Sequence, residues 1–109
     1  MELRSLQILY LSNTEVNDLA PVEKLTNLSM LSLGNTQAQN LRPLARLTKL
    51  TELELTNTQA TDLTPLAGLT NLSVLYLNDS QVSDENVQAL KTVLPNCTIH
   101  YLSETNDRE

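Results

Sequence analysis

Leucines return along this chain at a fixed step. Leu6, Leu28, Leu50 and Leu72 lie 22 residues apart, and Leu9, Leu31, Leu53 and Leu75 keep the same interval, as do Leu11, Leu33, Leu55 and Leu77. Thr14, Thr36, Thr58 and Ser80 follow in step, and so do Pro21, Pro43 and Pro65. One more step lands on Leu94, Cys97 and Ile99, which make a fifth, partial unit. Self-similarity without insertions is the mark of a repeat architecture, in which each unit buries its apolar face only against its neighbours.

Within a unit the pattern reads L-x-x-L-x-x-L-x-L-x-N-T-x-(V/A)-x-(D/N)-L-x-P-L. The L-x-L piece alternates with a period of two and predicts a short strand facing a core. Asn-Thr then breaks the alternation with short polar side chains that suit a turn and can bond backbone groups left unpaired there. Asp18, Asn40 and Asp62 precede Leu-x-Pro, where a capping side chain would open a short helical turn. Proline is tolerated at the start of such a turn, because its N–H would be unpaired anyway. A strand, a turn and a 3₁₀-like segment form one coil of a solenoid, and successive strands must pair in parallel. The last unit differs. Ser83 precedes Asp84 and Glu85, acids placed where a helix dipole favours them, and Val87, Leu90 and Leu94 form an amphipathic stripe. This predicts a true α-helix over 84–93 and a final strand within 94–99.

The repeat resembles the leucine-rich repeat, and Leu-Ser-Asn-Thr-Glu-Val-Asn-Asp-Leu-Ala-Pro-Val at 11–22 is most similar to the bacterial internalin type. The resemblance covers residues 3–102. It implies an α/β solenoid of about four and a half coils, right-handed, with short parallel β-strands on the concave face. The convex face would carry 3₁₀ or short helical segments, and the last repeat a longer α-helix. The implied division is a leucine-rich repeat domain over 1–102 and a polar C-terminal tail or cap over 103–109. Two departures from the family matter. Thr or Ser stands where the family usually stacks Asn, so ladder bonds would come from hydroxyls. The upstream cap and signal peptide of internalins have no counterpart, so their secreted, host-receptor-binding role is not carried over.

The first unit is already under way at Leu3, Leu6, Leu9 and Leu11. An open leucine stack and an unpaired strand edge need a cover. Two expectations follow. The chain is the C-terminal part of a longer repeat protein, or those four leucines are buried in a homodimer.

Composition narrows the function. Seven Lys+Arg against thirteen Asp+Glu give a net charge of -6 and a pI near 4.6. That argues against nucleic acid, which demands a basic footprint, and against an anionic membrane surface. One Cys and one His leave little for nucleophilic or metal chemistry, so no enzyme, metal site or cofactor is expected. A lone thiol and no signal-peptide layout at the start lead us to expect a reducing cytoplasm. Aromatic residues amount to only 3%, all of them Tyr, because one Leu scaffold is written four times.

Alternation with the core leucines sets three columns outward on the sheet. They are Ile8, Met30, Glu52, Val74 and Asn96; then Tyr10, Ser32, Glu54, Tyr76 and Thr98; then Ser12, Gly34, Thr56, Asn78 and His100. The expected function is a non-catalytic protein- or peptide-binding module. Its partner-binding candidates are Ile8, Tyr10, Met30, Ser32, Glu52, Glu54, Val74, Tyr76, Asn78, Thr98 and His100. Tyr10 and Tyr76 would be the anchors, since tyrosine combines rigid apolar area with a hydroxyl. Glu52 and Glu54 would favour a partner neutral or basic at its centre, and His100 could add a pH-dependent contact. The competing reading is that Tyr and β-branched residues simply suit strands. Cys97 shares the column of Leu9, Leu31, Leu53 and Leu75 and is expected as a buried small hydrophobe. Arg42, Arg46 and Lys49 fall on the helical side, as a solvated face. Two alternatives stand beside the binding module: a structural capping segment or self-associating repeat protein, and the sensor end of a multidomain bacterial receptor or effector resembling the NACHT family.

Overall fold

The computed structural model describes residues 5–101. Five short strands form one parallel sheet in chain order: β1 (Ile8–Tyr10), β2 (Met30–Ser32), β3 (Glu52–Glu54), β4 (Val74–Tyr76) and β5 (Thr98–His100). Between them run the 3₁₀ segments Ala20–Lys24, Arg42–Arg46 and Thr64–Leu66, and then the α-helix α1 (Asp84–Val93). Leu9, Leu31, Leu53, Leu75 and Ile99 register in a single row. Each strand is three residues long, an inward residue flanked by two outward ones, as in Met30-Leu31-Ser32 and Glu52-Leu53-Glu54. The ladder continues just beyond the strands. Leu11, Leu33, Leu55 and Leu77 donate their N–H groups to the carbonyls of Ser32, Glu54, Tyr76 and His100 at 2.7–2.9 Å.

The core is a stack of leucine rows. Leu28, Leu31, Leu33, Leu50, Leu53, Leu55, Leu75 and Leu77 are wholly buried, joined on the helical side by Leu41, Leu44, Leu63 and Leu66. Asp18, Asn40 and Asp62 open the 3₁₀ segments as expected. Their Oδ1 atoms accept the N–H of Ala20, Arg42 and Thr64 at 3.0–3.1 Å. They do so as Asx turns, with Leu19, Leu41 and Leu63 at the helix cap itself. The backbone bond from Thr64, then that from its hydroxyl, holds the Asp62 carboxyl below its usual range, and Arg42 adds to the effect. At α1, Ser83 Oγ accepts the Asn86 N–H at 3.2 Å, as an N-cap should.

The turn after each strand corrects one expectation. The hydroxyls of Thr14, Thr36 and Thr58 do not bond along the stack. They donate to the carbonyls of Leu11, Leu33 and Leu55 within their own coils, at 2.6–2.9 Å. The stack runs through the preceding asparagines. Asn35 Nδ2 donates to Asn13 Oδ1 at 2.9 Å, and Asn57 Nδ2 to Asn35 Oδ1 at 2.7 Å. Asn13, Asn35, Asn57 and Asp79 all have positive φ, between 57° and 64°, a region that Asn and Asp tolerate better than most residues. A carboxylate has no N–H to donate, so the stack ends before Asp79. Restoring the donor with Asp79→Asn is expected to stabilise the protein by about 0.5–1 kcal/mol, one further hydrogen bond. Urea denaturation measures it; an unchanged midpoint would mean that the fourth turn stands out of reach. A hydroxyl stack does exist elsewhere. Ser29, Thr51 and Ser73 donate to the carbonyls of Gln7, Ser29 and Thr51 at 2.9–3.2 Å.

The last coil corrects the column assignments. Ile99, not Cys97, occupies the Leu75 row, and Thr98 and His100 pair with Val74 and Tyr76. Cys97 takes the place of Leu28, Leu50 and Leu72. Its N–H bonds the Leu94 carbonyl at 3.0 Å just as theirs bond Leu25, Leu47 and Leu69 at 3.0–3.1 Å. The cause is the helix. It lengthens the coil by two residues: Val82 keeps the 22-residue step from Ala60, but Val87 and Leu90 stand 24 residues after Leu63 and Leu66, as Ile99 does after Leu75. Counting in equal steps therefore misplaces everything after α1. Cys97 is buried nonetheless, and burial pushes its thiol pKa up, keeping it protonated.

Candidate protein-binding face

The outward side of the sheet is built by the residues that flank the buried row. Its β1 end is open and apolar: Ile8 is 51% and Tyr10 65% exposed. The Tyr10 hydroxyl reaches across to β2 and donates to Met30 Sδ at 3.6 Å. Met30, Glu52 and Val74 continue the first row, half-buried by their neighbours. Thr98 completes that row and is exposed, where equal spacing had put Asn96.

The second row departs most from expectation. Ser32 is 3% exposed and offers a partner almost nothing. Glu54 covers it: Ser32 Oγ donates to Glu54 Oε1 at 2.7 Å. Because Ser32 has one hydroxyl proton and spends it on Glu54, the hydrogen bond between Ser12 and Ser32 must be donated by Ser12. Gly34 makes room for this. A Cβ there would stand 3.3 Å from Glu54 Cδ and Oε2. Farther along, the rings of Tyr76 and His100 stack with centroids 4.9 Å apart and planes 10° from parallel. His100 thus lies beside Tyr76 rather than beside half-buried Asn78, which was its expected neighbour.

Other sequence candidates separate from this face. Leu6, Leu9 and Leu11 are half-buried against the core, while Leu3 lies outside the described residues, as does the tail over 103–109. Arg46 approaches Glu23 at 3.6 Å, an exposed pair of small energetic weight, and Lys49 Nζ bonds Asn27 Oδ1 at 2.7 Å. Both cations belong to the helical side. Among the described residues no group of three His, Cys, Asp or Glu is placed to hold a metal ion, and no helix is long and apolar enough to cross a membrane. One feature escaped the sequence reading. Leu63, Ala67, Ala89, Leu90 and Val93 line a shallow apolar groove between the third 3₁₀ segment and α1, with Val93 51% exposed. Its signal was Ala89 and Val93 at i and i+4, one helix face.

Residues 4–46 match the model for leucine-rich repeats in two copies. No curated protein matches the chain. Among solved structures, internalin C2 of Listeria monocytogenes is 39% identical with a TM-score of 0.84, over 92% of this chain and 43% of that one. A second Listeria monocytogenes internalin is 31% identical with a TM-score of 0.85, over 93% of this chain and 29% of that one. A leucine-rich repeat protein of Leptospira interrogans is 33% identical with a TM-score of 0.78, over 86% of this chain and 25% of that one. The chain thus spans less than half the length of each of these relatives.

Proposed function

The chain is a leucine-rich repeat protein of the bacterial internalin type, and from that premise we propose that the outward face of its sheet is a non-catalytic docking surface for a protein or peptide. Leucine-rich repeat proteins generally bind proteins, which sets the class of function. The observation that carries the choice of face is Tyr10, the most exposed large hydrophobic among the described residues, set beside exposed Ile8 on a strand. A lone surface apolar residue is ordinary, but here the first row adds Met30 and Val74, and the second adds Tyr76. The scaffold beneath is a close-packed leucine stack, so the surface is held in one shape before binding and little ordering is required of it. The partner is neutral or basic opposite Glu52 and Glu54.

The reading is tested by Tyr10→Ala and Tyr76→Ala, assayed by calorimetry against peptides selected on the wild-type chain. Each is expected to weaken binding roughly tenfold, the usual scale for an aromatic anchor. Thermal unfolding should move little, because neither ring belongs to the buried core. Unchanged affinity in both variants removes this face from consideration.

A further inference from the structure

We propose that the sheet face contains a slot for one arginine side chain of the partner, bounded by the Glu54 carboxylate and the ring of Tyr76. The proposal rests on the docking-face reading and adds the chemistry of the contact. Glu54 and Tyr76 are register partners on β3 and β4, so their backbones stand about 4.8 Å apart. Their side chains turn away from each other. Glu54 leans toward β2, where Oε1 accepts the Ser32 hydroxyl at 2.7 Å and the carboxylate settles over Gly34. Tyr76 belongs to the opposite side, its ring stacked on His100 of β5 at 4.9 Å. The ring face turned away from His100 therefore looks back toward β3, whose Glu54 side chain leans the other way, onto Ser32.

Charge supplies the second observation. The described cations are Lys24, Arg42, Arg46, Lys49 and Lys91, and none of them lies on a strand. Glu52 and Glu54 thus face outward from the middle of a sheet that carries no lysine or arginine among the described residues. No described lysine or arginine of the sheet neutralises these two carboxylates, which makes the face complementary to a cationic group on a partner. The slot selects the shape of that group. A guanidinium is planar and weakly hydrated, stacks on an aromatic face, and presents a fork of N–H donors matched to a carboxylate. Oε1 already accepts from Ser32, and the carboxylate keeps further lone pairs with which to accept from such a donor. A lysine ammonium could reach the carboxylate but has no plane to lay on the ring.

The test selects random cyclic peptides displayed on phage against the full chain, then resynthesises the best binder with citrulline or lysine in place of its arginine. Arginine is expected at one enriched position. Citrulline, equal in shape but uncharged, should bind roughly tenfold more weakly and lysine severalfold more weakly. Glu54→Gln should abolish the preference for arginine over citrulline. Gly34→Ala should reduce it too, because the new Cβ pushes the carboxylate back over β3 without changing any charge. Circular dichroism melts confirm that both variants fold. Selected peptides without arginine, or equal binding of arginine and citrulline forms, overturn the slot. If such peptides still lose affinity with Tyr10→Ala, the docking face stands without it; indifference to both Tyr10→Ala and Tyr76→Ala overturns the face as well.

Discussion

Leu53→Ala is expected to lower the free energy of unfolding by about 3–4 kcal/mol, within the range for deleting a buried leucine side chain. Leu53 is wholly buried and sits in the central strand, flanked in its row by Leu31 and Leu75, which are buried to the same degree. The truncation removes apolar contact with the coils on both sides. The site is poorly able to collapse, because every coil around it is fixed by ladder bonds repeated on either side, such as Leu33 N–H to Glu54 and Leu55 N–H to Tyr76. For a domain whose whole stability is of order 5–15 kcal/mol, that is a large share. Leu9→Ala supplies the comparison. It removes the same atoms from the same row, but Leu9 is only half-buried in β1 and touches one neighbouring coil. Its expected cost is smaller, about 1–2 kcal/mol, scaling with the area returned to water. Urea denaturation of both variants gives the two values. Equal losses would mean that coil neighbours contribute little and would contradict a solenoid held by nearest-neighbour packing.

How much of this was legible in the sequence depends on whether a feature is set within a coil or between coils. Leu31, Leu53 and Leu75 recur at one step because each coil must meet the next, so their row and the parallel pairing follow from the period alone. Asp18, Asn40 and Asp62 were readable as turn openers because their bonds reach only two residues ahead. The last coil was not readable by counting. The acids after Ser83 announced a helix, but the two residues added between Val82 and Val87 shift Cys97, Thr98 and His100 out of step, and no periodicity carries that offset. On the outer face of the sheet, Ser32 was read as outward-pointing, which is correct of its place in the strand. Its burial depends on the carboxylate of Glu54 crossing from the next coil, and on Gly34 leaving the space. Such a contact joins three residues that no motif links.

The asparagine stack shows the same division, and Asn35 measures it. The residue does two jobs: it bonds both neighbouring coils and holds a left-handed backbone at φ 59°. Asn35→Gly removes the side chain while leaving that conformation unstrained, so it reports the two stack bonds alone. A loss of about 1–2 kcal/mol is expected, since each exposed amide bond has a modest net value. Asn35→Ala removes the same bonds and adds a Cβ in the left-handed region, which costs about 1 kcal/mol more. Its total is therefore about 2–3 kcal/mol, read as a lower urea midpoint at an unchanged slope. The difference between the two variants isolates the backbone contribution. If Asn35→Gly is as stable as the wild type, the stack carries no energy and asparagine is present only for its φ. If Asn35→Ala and Asn35→Gly lose equally, the turn relaxes around the new side chain and the stack bonds account for the whole loss. The expected order, wild type above Gly above Ala, requires both the conformation and the bonds. One asparagine meets both needs, which is why the position recurs in three successive coils as Asn13, Asn35 and Asn57.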